Sequence, residues 1–245
     1  YPLRRQRQMC IRDSFKLGPV KYHNVVASIK GTKYPDEYVI ISGHLDSYDV
    51  ATGGIDCGTG IGPMMEAARM IALSGAKPKR TILFVAFAGE EFGLLGAKSY
   101  VKTHAKELGK IANLFNRDGG PTPPVGISVP QAMYDDFVEV CKPVKEIRAD
   151  YPFEVKVAKP FKRPTQSGGT DASVFAVEGV PTFGFNTQDI KGYNFSYGEI
   201  WHTERDLYTK NIPEYQEHAA TVTAVVALGI ANLSKQLSRE GMHKK

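Results

Sequence analysis

The chain is poor in cysteine: Cys10, Cys57 and Cys141 are its only three, and no two form a CxxC pair. That scarcity excludes a cysteine-built zinc site and a disulfide framework, and it leaves the redox compartment unread. No apolar run approaches the ~20 residues of a membrane span. There is no signal-peptide pattern, and the first residue is not Met, so the expectation is a fragment or processed chain whose targeting information lies elsewhere. A basic stripe with interleaved aromatics is also missing, so nothing points to a nucleic-acid partner. The formal net charge of +5 is instead concentrated at the start, where Arg4, Arg5, Arg7 and Arg12 face Asp13 alone. The segment RRQRQMCIRDS resembles translated sequencing-adapter sequence of the kind found fused to environmental gene fragments. Residues 1–14 are therefore expected to be a non-native tail. Internal repeats and low-complexity linkers are absent.

What remains is ample for one domain. The chain has 245 residues with 42% hydrophobic content, which supports a sizeable core and excludes a disordered chain. A catalytic domain is expected over residues 20–240. His23 to Lys30 reads as a strand, Tyr34-Pro35-Asp36 as a turn and Tyr38 to Gly43 (YVIISG) as a buried strand. The glycine-rich loop Ala51 to Gly62 leads into a helix whose apolar positions Met65, Ala68, Ile71 and Ala72 have helical spacing. Thr81 to Ala88 (TILFVAFA) has no polar face after its first residue, as in a strand covered on both sides. Leu94 to His104 reads as a helix and Ile111 to Phe115 as a strand. Beyond these come a short strand at Val125 to Val129, a helix at Gln131 to Cys141, a strand at Tyr151 to Val157 and a polar loop at Arg163 to Thr170. A strand at Val180 to Phe185 and a long helix from Ile212 to Leu237, with Pro213 in its first turn, complete the chain. Strands alternating with helices predict an α/β fold, a three-layer αβα sandwich with a mostly parallel mixed central sheet.

In such sheets the chemistry gathers where strands end. His44 and Asp46 follow YVIISG directly, Asp56 sits in the glycine-rich loop, Glu90 and Glu91 follow TILFVAFA, and Asp118 follows the strand through Leu114-Phe115. His202 comes after the aromatic-rich loop Tyr193 to Trp201. Each has an ordinary reading alone: a hydrogen-bonded structural histidine, a turn-forming aspartate, a solvated Glu pair at a helix start. Together they form the donor set zinc prefers, imidazole nitrogen with carboxylate oxygen. Two zinc ions ~3.5–4 Å apart can act jointly on water and on the oxygen of the bond attacked. A carboxylate shared between them needs a loop free to reach both, which the glycines around Asp56 allow. Asp46, two residues on, can orient His44. Of the adjacent Glu90 and Glu91, one can bind metal while the other stays off it as a base.

These residues lie in motifs that resemble those of the co-catalytic zinc aminopeptidase and glutamate-carboxypeptidase family, peptidase family M28. The motifs are GHLDS (Gly43 to Ser47), Asp56 before a glycine-rich helix start, GEEFGLLGAKSY (Gly89 to Tyr100), FNRDGG (Phe115 to Gly120) and WHTERD (Trp201 to Asp206). They occur in the family's order over about Val20 to Leu233. NVVASIKGTKYPDEYVIISGHLDS most resembles the carboxypeptidase Q-like branch, which acts on dipeptides and other short peptides and is secreted or otherwise exported.

The resemblance implies two zinc ions per chain bridged by Asp56. His44 and Asp118 complete one site, and Glu91 and His202 the other. It makes Glu90 the general base and Asp46 the partner of His44. The SGGTD loop, with Gly169, Thr170 and Asp171, then lies near substrate, and Tyr193 and Tyr197 line the specificity pocket. A short peptide substrate, a secreted or periplasmic location and a possible homodimer follow in the same way. Two departures stand out: Cys57 where the family usually has a second acidic residue, and Ala172 where it often has His. The peptide bond after the bridging Asp is often strained or cis in this family. His23, His104, His218 and His243 fit no motif and read as structural or solvated. Two other readings share the fold. A single-zinc acyltransferase of the glutaminyl-cyclase type would bind one zinc, and a non-catalytic binding domain, as in receptor ectodomains, keeps the fold without metal, a reading that zinc uptake with no peptide hydrolysis would favour.

Overall fold

The computed structural model describes residues 18–241, so the tail expected at residues 1–14 and His243 lie outside the described residues. Four strands form the main sheet: β1 (Val25–Ile29), β2 (Tyr34–His44), β3 (Arg80–Phe87) and β4 (Ile111–Asn116), in the order β1-β3-β2-β4. β2 runs parallel to both β3 and β4, whereas β1 pairs antiparallel with β3. The sheet is therefore mixed and mostly parallel.

The period-2 alternation of side chains builds the layers. Val39, Ile41, Ile82, Phe84 and Ala86 point to one face, against α1 (Gly58–Leu73) and α6 (Pro213–Ala231). Ile40, Val85 and Phe87 point to the other, against α2 (Leu95–Thr103) and α4 (Asp171–Val177). Full burial of each such side chain contributes about 1.5–3 kcal/mol. β2 and β3 thus lie between two helical layers, which is why they read as unbroken apolar runs.

A second, three-stranded sheet divides the strand layer: β5 (Pro124–Val129), β6 (Glu154–Val157) and β7 (Phe185–Thr187), in the order β6-β5-β7. It shares a core with the first through α3 (Tyr134–Ile147), where Phe137, Val140 and Val144 are buried beside Ile127 and Val129. A short helix, α5 (Tyr197–Ile200), completes the elements used below.

Several expected boundaries move, each for a local reason. The turn expected at Tyr34 to Asp36 is already strand, with a register shift between Tyr34 and Tyr38 taking up Pro35. The segment Val180 to Phe185 does not form a full strand. Pro181 can only accept, and its carbonyl takes the Leu114 N–H at 2.9 Å with no bond in return. The buried face of α1 is Met64, Ala67 and Ile71, while Met65 is 64% exposed. α6 stops at Ala231 rather than Leu237, because Asn232 is tied to the strand side. Its Oδ1 accepts the Lys79 N–H, and its carbonyl accepts the Lys79 ammonium. The helix expected over Gln131 to Cys141 continues as α3 to Ile147. His218 is buried on α6, bonded to the Pro124 carbonyl and stacked on Tyr151, and burial pushes it down to about 4.

Candidate active site

Three parallel strands end at one edge of the sheet and deliver the acidic groups there. β2 ends at His44, 1% exposed; β3 leads to Glu90 and Glu91; β4 leads to Asp118. Asp56 arrives from the loop between β2 and α1, and His202 from the turn after α5. The loop carrying Asp56 must lie very close to its neighbours. A Cβ on Gly54 would meet the Leu207 carbonyl carbon and the Tyr208 nitrogen at 2.3 Å, and one on Gly60 would meet the Arg117 oxygen at 2.2 Å. Only glycine permits both approaches.

The ligand atoms converge. His44 Nε2 lies 2.8 Å from Asp56 Oδ1 and 3.4 Å from Asp118 Oδ1. His202 Nε2 lies 2.9 Å from Glu91 Oε2. His44, Asp56 and Glu91 each offer an atom within 4.8 Å of the others, so the His44–Asp118 pair and the Glu91–His202 pair join in one cluster with Asp56. The His202 ring is stacked on Tyr48 at 4.1 Å and packs against Trp201 at 4.2 Å.

Aspartates hold the frame beneath these groups. The Asp46 carboxylate accepts the backbone N–H groups of both Glu90 and Glu91, each at 3.1 Å. It lies 4.0 Å from His44 Nδ1, and that nitrogen is bonded at 2.9 Å to the Asp46 backbone carbonyl instead. The orienting role expected of the Asp46 side chain therefore falls to its main chain, while its carboxylate positions the Glu pair. With its Nδ1–H donated to that carbonyl, His44 presents Nε2 to Asp56 and Asp118.

Asp206, which sequence reasoning did not single out, does for Asp56 what Asp46 does for the glutamates. Its Oδ1 and Oδ2 accept the N–H groups of Ile55 (2.6 Å) and Asp56 (3.1 Å). Its presence in WHTERD was the available signal.

The electrostatics show a site short of positive charge. Burial, then Asp118, push Glu90 up to about 8. Burial pushes Asp171 up to about 7 despite the opposing His44, with Asp118 and Asp46 adding to the rise. Glu91 is raised chiefly by burial and by Asp56. For His44, burial works against the charged ring, but the bonds to Asp118 and Asp56 outweigh it and hold the proton. Glu91 Oε1 and both Asp171 oxygens are buried without a hydrogen-bond partner among the described residues. The orphaned Glu91 oxygen, close to a proton-holding imidazole, fits divalent cations, which would supply the missing charge and take the proton's place on Nε2.

These shifts make the metal-free protein sensitive to pH. Glu90, Asp171 and His44 all have folded-state values above their unfolded ones, so between those values the native state binds more protons. Chelator-treated protein should therefore lose thermal stability as pH rises from about 6.5 to about 8, above the range where His218, held down at about 4, acts the opposite way. Melting curves across that range with and without zinc check this; a metal-free melting temperature that rises with pH would contradict it.

Cys57 donates to the Arg117 carbonyl at 3.0 Å, and burial raises its thiol. Its Sγ can approach His44 and Asp118 within 4.8 Å. The Asp56–Cys57 peptide bond is cis.

The cleft over these groups encloses about 720 Å³ and is lined by Asp56, Glu90, Glu91, Asp118, Tyr197, Trp201 and His202, with Gly169 and Thr170 from the SGGTD loop opposite. Tyr197 donates to Asp56 Oδ2 at 2.7 Å. Two residues expected to contact substrate lie elsewhere. Asp171 is fully buried at the start of α4 rather than on the cleft wall. Tyr193 lines a separate hollow with Asn194 and Phe195, its hydroxyl bonded to Glu214 and its ring edge-on to Tyr215. The polar bond to α6 holds it away from the cleft. Among the described residues no helix is long and apolar enough to cross a membrane.

The chain matches the family model "Peptidase family M28" over residues 24–226. It is 32% identical to carboxypeptidase Q of Rattus norvegicus over 216 residues, 88% of this chain and 43% of the relative. The human carboxypeptidase Q is 29% identical over 221 residues, with the same coverage. A crystal structure of a peptidase M28 precursor from Shewanella amazonensis superposes with a TM-score of 0.72 at 32% identity, over 88% of this chain and 46% of that one. A zinc aminopeptidase from Bacillus subtilis shares the fold at 21% identity, with a TM-score of 0.65 over 90% of this chain and 53% of that one. The chain thus spans under half the length of the carboxypeptidase Q relatives. Motif order, strand-end geometry and a match across most of the chain agree: it belongs to peptidase family M28.

Proposed function

We propose that this chain is the catalytic domain, over residues 20–240, of a zinc-dependent exopeptidase that holds two zinc ions and cleaves dipeptides or short peptides. The observation that carries it is the convergence of His44, Asp118, Asp56, Glu91 and His202, with Asp56 in reach of a member of each histidine–carboxylate pair. In this reading Asp56 would be shared by the two metals, His44 and Asp118 would hold one, and Glu91 and His202 the other. Bound there, the metal ions supply Lewis-acid polarisation of the scissile carbonyl and lower the pKa of water. Glu90 lines the cleft as the carboxylate left off the metals, and it takes the proton from the attacking water and delivers it to the leaving amine. Asp46 and Asp206 hold Glu90, Glu91 and Asp56 by their backbones, so these side chains meet the substrate preorganised. Tyr197 lines the same cleft and holds Asp56 by its hydroxyl. The same reading places the protein in an exported compartment.

The test is a dipeptide panel, with free and blocked ends, on zinc-loaded protein with metal counted per chain. Two zinc ions and hydrolysis of unblocked dipeptides are expected. One zinc per chain would favour the cyclase-type acyltransferase. Zinc uptake with no hydrolysis of any peptide would favour a binding domain.

A further inference from the structure

One charged group in the cleft is used neither by the proposed metal sites nor by proton transfer. Lys98 lines the cleft together with Asp56, Glu90, Glu91 and Asp118, and it is the one Lys or Arg to do so among the described residues. It sits on α2, where its N–H bonds the Leu94 carbonyl at 2.9 Å, and the Leu94 N–H bonds the Glu90 carbonyl at 2.8 Å. Two successive hydrogen-bonded turns thus bring Lys98, eight residues from Glu90 in sequence, to the same wall. The side chain is exposed and forms no ion pair among the described residues. Arg117 offers no alternative, because its guanidinium is spent on the carbonyls of Thr59 (2.7 Å) and Thr122 (3.0 Å).

The charge balance gives Lys98 a task. Two divalent ions would offset the charges of Asp56, Glu90, Glu91 and Asp118, and Lys98 is the one Lys or Arg among the residues lining the cleft that is left to meet a substrate anion. An ammonium on a flexible stem suits a carboxylate whose position varies from one substrate to the next. One residue of extended chain spans about 3.3–3.6 Å. In a substrate cut at its last bond, the terminal carboxylate stays within one residue of the scissile carbonyl, inside the cleft that Lys98 lines. A longer leaving segment would put a neutral peptide amide there instead.

We infer that Lys98 binds a carboxylate on the leaving residue of the substrate, so that the cleft selects peptides cut at their final bond. This rests on the peptidase reading above. Such a carboxylate has two sources, the α-carboxylate or an Asp or Glu side chain on the leaving residue, and the test separates them. Zinc-loaded protein is given a free-acid dipeptide, its C-terminal amide, and an amide whose leaving residue is Asp. The parent should favour the free acid over its amide about tenfold in kcat/KM, the size of one charge-assisted hydrogen bond. Lys98→Met should bring that ratio close to one, mainly through KM, and Lys98→Arg should keep it. A ratio unchanged in Lys98→Met overturns the inference, and preference for the Asp amide over the free acid overturns the last-bond selection. If the parent cleaves none of the three, the peptidase reading fails instead, and calorimetric titration with N-acetylglycine and its amide decides the carboxylate site alone. Binding of the acid that is lost in Lys98→Met upholds it, and equal binding by both proteins overturns it.

Discussion

Glu90→Gln is expected to lower kcat roughly 10²–10⁴-fold with both zinc ions retained and KM nearly unchanged. Gln keeps the size and hydrogen-bonding shape of Glu but cannot carry a proton. The backbone that presents residue 90 is fixed independently, by the bond from its N–H to Asp46 Oδ1, so the substitution should not move the loop. Glu91→Gln should behave differently, because Glu91 Oε2 meets His202 at 2.9 Å and Glu91 Oε1 is buried without a hydrogen-bond partner among the described residues, as suits a ligand. It should lose metal along with activity. Metal analysis beside steady-state kinetics on both variants separates the roles. Swapped phenotypes, or near-normal turnover in Glu90→Gln, would place the base elsewhere.

The second large effect is on metal binding. Asp56→Ala is expected to weaken both zinc sites, since its carboxylate is in reach of His44 and of Glu91, whereas His44→Ala or His202→Ala should weaken mainly one. Asp206→Asn offers a subtler comparison, because every ligand side chain stays in place. One carboxylate oxygen becomes an NH₂ facing the N–H of Ile55 or Asp56, two donors with no acceptor between them. Loss of such a supporting group costs about 10–100-fold in metal affinity. Competitive titration against a zinc chelator measures all four variants. Equal single-site losses from Asp56→Ala, His44→Ala and His202→Ala would contradict the bridge, and unchanged affinity in Asp206→Asn would remove that residue from the site's support.

The strand ends were legible in the sequence because β2, β3 and β4 are apolar on both faces, so the polar residues that follow each run mark the edge of the sheet. His44, Glu90, Glu91 and Asp118 all fall at such marks, and the structure brings them together. Long-range ties were not legible. Nothing in WHTERD announces that the Asp206 carboxylate closes on two N–H groups some 150 residues earlier. The role of Asp46 was half visible: its proximity to His44 was read from spacing, but the glutamate N–H groups it holds lie on another strand's loop. Tyr193 misled because closeness in sequence to Tyr197 says nothing about direction, and its bond to Glu214 faces it away. The face of α1 slipped by one residue because Met64 and Met65 are equally apolar, and only packing against α6 and the sheet chooses between them. The short helices α4 and α5 carry too few turns to leave a periodic signal.

The ties between Asp206 and residues 52 to 56 have a consequence for how the molecule assembles. The Asp206 carbonyl also accepts the Thr52 hydroxyl at 2.7 Å, so the Asp56 loop is finished only when chain more than 150 residues downstream has returned to it. The β2–β3 and β1–β3 pairings close over far shorter separations and can form early, while loop-closure entropy delays contacts of long span. The metal-binding geometry is therefore a late event in folding, unavailable to a nascent chain that has not yet reached Asp206. In this reading a chain stopped short of residue 206 would keep the ligand side chains but lack the carboxylate that ties down the Asp56 loop, so full zinc affinity would report that the loop has been closed.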